Sequence, residues 1–185
     1  MRNNFQLSLI PTLIVALTLA SCASTPTQQA PGEYVDDAGT SARVNTALMQ
    51  DPLVKAGQVD VETFRGVVQL NGFIDSTAAK DRATTVTRSV SGVHEVHNNL
   101  VVKTSERTVG AVVDDATITA KVKTALIGNE HTNAGQIDVE TRQGVVQLSG
   151  FVNSSDEKLT AGNLATNIEG VHRVDNELEI KKLNP

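Results

Sequence analysis

Val59-Asp60-Val61-Glu62-Thr63 returns as Ile137-Asp138-Val139-Glu140-Thr141, and Gly66-Val67-Val68-Gln69-Leu70 returns as Gly144-Val145-Val146-Gln147-Leu148. Both pairs are offset by 78 residues, as are Gly92-Val93-His94 and Gly170-Val171-His172. Aligned without a gap, Val35–Val102 and Val113–Ile180 are identical at 32 of 68 positions. Two copies at so long a period are a duplicated domain rather than a solenoid, whose repeats are shorter and more numerous. Whatever fold one copy takes, the other takes as well.

Each copy reads as helix, strand, strand, helix, strand. Ile118, Val122, Ala125 and Leu126 follow the i, i+4, i+7, i+8 spacing of an apolar helix stripe, and Thr40, Val44, Ala47 and Leu48 repeat it in the first copy. Asp36-Asp37 and Asp114-Asp115 stand just before these stripes. They are expected to cap the helices, where carboxylates meet orphan N–H groups and the positive end of the dipole. Val59 to Thr63 alternates as a half-buried strand does, and Phe64-Arg65-Gly66 (Arg142-Gln143-Gly144 in the second copy) is a tight turn into the hairpin partner.

The second helix is expected to start after Ser76 or Ser154, to bury Ala79, Ala83, Val86 and Val90 (Ala161, Leu164 and Ile168), and to end at Gly92 or Gly170. The last strand lines up Val96, Leu100 and Val102, or Val174, Leu178 and Ile180, with Asn98 and Asn176 expected to bond backbone at a sheet edge. A hairpin followed by a helical crossover makes a mixed sheet, because the crossover joins parallel strands. Burying both stripes places the two helices on one face. The expected fold is therefore α+β: two tandem αββαβ domains, each a three-stranded mixed sheet with two helices packed on one face. The boundaries read as 35–102 and 113–180, with a linker at 103–112 and a basic C-terminal tail at 181–185. Each copy carries its own caps, hairpin and stripes and is expected to fold separately.

Composition removes several function classes. One cysteine excludes an intramolecular disulfide and a multi-thiolate metal site. A net charge of -5 argues against non-specific nucleic-acid binding, which neutralises phosphates with basic side chains. His94 and His97, at i and i+3 in a strand, point to opposite faces; His131 lies alone in a loop, and His172 repeats His94 where Asp175 replaces His97. No metal, no cofactor and no catalytic residue is expected, since no nucleophile motif or phosphate-binding loop is present in the sequence.

The N-terminus has the form of an address. Arg2 precedes an apolar run from Leu7 to Leu19 that is interrupted by Pro11. The run is shorter than the roughly 20 residues a membrane span needs, and it matches a signal-peptide core. Leu19-Ala20-Ser21-Cys22 resembles the lipobox of bacterial lipoproteins. The resemblance implies a signal peptide at 1–21 and a thioether-linked diacylglycerol on Cys22. Several acyl chains at about 0.8 kcal/mol per buried methylene make such anchoring effectively stable. Ala23 stands where an aspartate would signal inner-membrane retention, so outer-membrane sorting facing the periplasm is implied. Residues 22–34, small, polar and proline-containing, read as a flexible tether.

The helix pattern from Asp114 to Leu126, the hairpin Gly144 to Gly150 and the run Gly170-Val171 to Leu178, each present twice in the order αββαβ, resemble the BON domain. That family is named for bacterial osmotically inducible periplasmic proteins and nodulation proteins. The resemblance implies a non-enzymatic envelope protein, a phospholipid- or protein-interaction module supporting envelope integrity and stress tolerance. The alternative is a periplasmic osmotic-stress protein that binds other proteins in a chaperone-like way without direct lipid recognition. The partners implied are outer-membrane lipid through the acyl anchor, anionic phospholipid headgroups, and envelope proteins. Copy one has six basic and eight acidic residues and copy two has five and eleven, so any headgroup contact needs a local basic face. Lys121 and Lys123 on the second domain's first helix are the candidates, with Arg43 the one counterpart and Lys181-Lys182 adding to the field.

Overall fold

The computed structural model describes residues 31–103 and 109–182. Each half holds helix, hairpin, helix and strand in the expected order, and the fold is α+β. In the first half these are α1 (Pro31–Gln50), β1 (Asp60–Phe64), β2 (Val67–Asn71), β3 (Phe73–Ile74), α2 (Thr77–Arg88), β4 (Glu95–Asn98) and β5 (Val101–Val102). The second half repeats them as α3 (Val109–Ile127), β6 (Asp138–Arg142), β7 (Val145–Ser149), β8 (Phe151–Val152), α4 (Ser155–Thr166), β9 (Arg173–Asn176) and β10 (Glu179–Ile180).

The sheet is mixed in both halves. β1 runs antiparallel to β2 with Phe64 opposite Val67, and β2 runs parallel to β4 with Val68 opposite Val96. β6, β7 and β9 repeat this register. Beyond a break at Gly72 the ladder resumes as the parallel pair β3 and β5, and beyond Gly150 as β8 and β10. Each half has its own core between helices and sheet. Val44, Leu48, Val68, Leu70, Ile74, Ala83 and Leu100 fill the first. Val122, Leu126, Val146, Leu148, Val152, Ala161 and Leu178 fill the second. Alanine on the inward face of α2 and α4 lets those helices approach the sheet closely. Ser76 and Ser154 cap them as expected, each hydroxyl accepting from the backbone N–H three residues on.

Three expectations are corrected. First, α1 begins at Pro31 and α3 at Val109, so the helices take in residues assigned to the tether and to the linker. Proline suits a first helical position, where its missing N–H is not needed. Second, Asp37 and Asp115 consequently lie inside helices and do not cap them. Third, α2 and α4 are capped at their C-termini by Ser89 and Asn167. Gly92 and Gly170 follow three residues later, at φ +93° in the turn leading to the last strand.

Candidate functional site

The hairpin end of each domain shows what the paired aspartates do. Arg65 and Gly66 have φ of +51° and +75°, and Gln143 and Gly144 have +51° and +73°. Positive φ at both positions of a two-residue loop is the type I′ turn, whose twist matches that of the strands. Asp37, 6% exposed, reaches from α1 and accepts from the N–H groups of Arg65 at 2.6 Å and Gly66 at 2.9 Å. Asp115 accepts from Gln143 at 2.8 Å and Gly144 at 2.9 Å. These buried carboxylates pin the hairpin to the helix. Each carboxylate accepts from two successive backbone N–H groups of the turn.

The face of each sheet turned away from its helices meets the other domain. Strand alternation sends Val68 and Leu70 into the helix core and Gln69 to the opposite side, where it is fully buried. Gln69 Oε1 accepts from the Gly150 N–H at 3.0 Å, and its Nε2 donates to the Glu177 carbonyl at 3.3 Å. Gln147 returns both contacts, accepting from the Gly72 N–H at 2.6 Å and donating to the Asn99 carbonyl at 2.8 Å. Gly72 and Asn99 mark the break in one sheet, and Gly150 and Glu177 mark it in the other. A break leaves a donor and an acceptor without ladder partners, and each is satisfied by the partner domain's amide. Phe64 and Phe151 pack beside them with ring centroids 5.4 Å apart. The relation is a quasi-two-fold exchange. Sequence reading missed Gln69 and Gln147; the available signal was a glutamine inside an otherwise apolar Val-Val-x-Leu run, kept in both copies.

The rim of this interface is not symmetric. His97 on β4 contacts Glu179 on β10 through Nδ1 and Glu95 through Nε2, the latter at 2.8 Å. Burial opposes the imidazolium, but the two carboxylate hydrogen bonds and charges outweigh it, so His97 titrates above the ordinary histidine value. At the related position Asp175 pairs with Arg173 at 2.8 Å. Lys181 stands over the Phe64 ring at 5.6 Å, and burial lowers its pKa. Lys182 lies 3.6 Å from Glu95. The tail lysines thus dock on the rim.

Lys121 and Lys123 are not brought together. Two residues apart on a helix, they face different sides and border different grooves. Lys121 lies 3.7 Å from Glu169, beside a groove of about 470 Å³ that Asp114, Gln143 and His172 also line. Lys123 lies 3.6 Å from Asp138. Arg43, the first domain's counterpart of Lys121, donates to Thr40 and to the Ser91 carbonyl. Asn98 donates to the Lys80 carbonyl and accepts from the Leu100 N–H, bonding backbone as expected, and Asn176 repeats both contacts. Cys22 lies outside the described residues.

Two tandem αββαβ domains, interlocked through their sheets and stapled by buried carboxylates, define the class: a duplicated α+β fold. The BON domain profile matches residues 36–104 and 114–182, and the chain belongs to the BON-domain family. It is 34% identical over 151 residues to the osmotically-inducible protein Y of Escherichia coli, covering 81% of this chain and 75% of that protein. It is 31% identical to the outer membrane lipoprotein DolP of Haemophilus influenzae, covering 77% of this chain and 74% of that one. A 21 kDa hemolysin of Actinobacillus pleuropneumoniae is 30% identical, covering 77% and 73%. None of these three names denotes an enzyme. Among the described residues no helix is long and apolar enough to cross a membrane.

Proposed function

We propose that the chain is an outer-membrane lipoprotein, anchored at Cys22 and facing the periplasm, whose BON pair is a non-catalytic interaction module supporting envelope integrity under stress. The observation that carries this reading is the pairing of a full tandem BON match with a lipobox-like sequence ending in the chain's one cysteine. Relatives named for osmotic induction and for an outer-membrane lipoprotein support the same setting. The use of Asp37 and Asp115 as backbone staples supports a binding role over acid–base chemistry.

Headgroup contact through Lys121 and Lys123 belongs to this proposal. Their carboxylate neighbours favour a second reading, in which the domains bind proteins and the anchor only locates them. Mass spectrometry of the membrane-fraction protein tests the anchor: a mature chain starting at acylated Cys22 is expected, and a soluble chain with a free N-terminal thiol overturns it. Sedimentation of the unacylated domain pair with anionic vesicles tests the contact. Salt-sensitive binding weakened about tenfold by Lys121→Glu with Lys123→Glu supports headgroup recognition. No vesicle binding, together with suppression of client aggregation, supports the protein-binding reading.

A further inference from the structure

We infer that the groove between α3 and β6, completed by β1 of the first domain, is a docking site for a protein segment that presents a lysine or arginine next to an aliphatic side chain. The inference rests on the reading of the chain as an envelope interaction module. The groove encloses about 430 Å³, within the range of sites that hold a few side chains. Its apolar wall is Leu126 and Ile137, both buried, with Ile127 at the mouth and 74% exposed. An aliphatic side chain laid there would cover an apolar residue that α3 otherwise leaves in water.

The opposite rim is acidic. Alternation puts Asp60 and Glu62 on the same side of β1, toward the second domain, where Glu62 enters the groove wall opposite Lys123 and Asp138. Lys123 lies 3.6 Å from Asp138 and is, among the described residues, the one base lining the groove. Partial burial first, and then mutual repulsion with Asp138, hold the pKa of Asp60 and Glu62 above their ordinary values. An incoming cation relieves that repulsion, whereas a phosphate headgroup adds to it. The charge therefore selects a basic segment over an anionic lipid surface. Because Glu62 comes from one domain and Ile127 from the other, the site exists only when the domains are docked. That gives the interlock a functional consequence.

The test follows the amide resonances of the unacylated chain from residue 23 while titrating a capped hexapeptide of alternating leucine and lysine, then its leucine–glutamate counterpart. Saturable shifts centred on Ile127, Ile137 and Glu62 are expected with the lysine peptide alone. Glu62→Gln with Asp138→Asn should weaken binding about tenfold, while Asp81→Asn with Asp156→Asn, an equal charge loss at exposed positions of α2 and α4, should leave it unchanged. Removing repulsion should not lower the Tm of the Glu62 variant, so lost binding cannot be misfolding. Equal binding of the glutamate peptide, shifts centred elsewhere, equal effects of both double variants, or no saturation each overturn the inference. Vesicle sedimentation of the same variants separates the two readings: unchanged vesicle binding alongside failed peptide binding removes the groove and leaves the module.

Discussion

Gly144 carries three constraints at once: φ of +73°, a Cβ position 2.9 Å from the Gly170 carbonyl oxygen, and the His172 ring at 2.6 Å. Alanine there meets backbone that cannot swing away. Gly144→Ala should therefore cost about 2–3 kcal/mol, more than the roughly 1 kcal/mol of an ordinary glycine change, and thermal unfolding checks it. Asp115→Ala removes the acceptor for two N–H groups, one of them buried, and should cost about 2–4 kcal/mol by the same measurement. The turn was legible in the sequence because Gly66 and Gly144 recur between alternating strands. The aspartates were misread, because a carboxylate just before an apolar stripe has the same local signature whether it caps a helix or reaches across to a hairpin. Only the tertiary position of the hairpin separates the two.

At the scale of elements, hydrophobic periodicity found the four α-helices and both hairpins of the described residues, since each buries one face against one core, but not the short 3-10 turns Ala56–Gln58 and Ala134–Gln136, which bury no residue. It could not find what lies on the second face of β2 and β7. Gln69 and Gln147 are buried there by another domain, and a single polar residue in an apolar run does not announce its partner. The same face carries a pH response. His97 on β4 has a raised pKa in the folded chain through Glu95 and Glu179. Below about pH 6.5 the unfolded chain is protonated too, and the full stabilisation is present. As pH rises the unfolded chain releases its proton first, and stability falls until His97 has also deprotonated in the folded chain. Asp60 and Glu62, also raised, act in the same sense at carboxylate pH values. The Tm should thus decline as pH rises above about 6.5 and level off once His97 has deprotonated in the folded chain, and His97→Gln should flatten that decline. An unchanged slope in the variant would show that the β4–β10 contact does not form in solution.

The described residues form two cores joined by an exchange of glutamines, with Phe64 on Phe151 beside it and the His97–Glu179 and Lys182–Glu95 contacts at its rim. Each core is complete by itself, so the expectation of separate folding concerns the cores; the interface decides whether they act as one body. Duplication explains its form: a face that suits its own copy is met again in that copy, and the quasi-two-fold contact follows. The rim residues have diverged, with His97 against Asp175 and Lys123 against Asn45, so the two sides of the body present different chemistry. On the proposed reading, function belongs to the docked pair. Native-state amide exchange at Gly72 tests this most directly, because its N–H has no ladder partner and is held by Gln147 alone at 2.6 Å. The account predicts that Gly72 exchanges slowly in the intact chain and quickly in Gln147→Ala, while Val68 in the core stays protected in both. Fast exchange of Gly72 in the intact chain would contradict it.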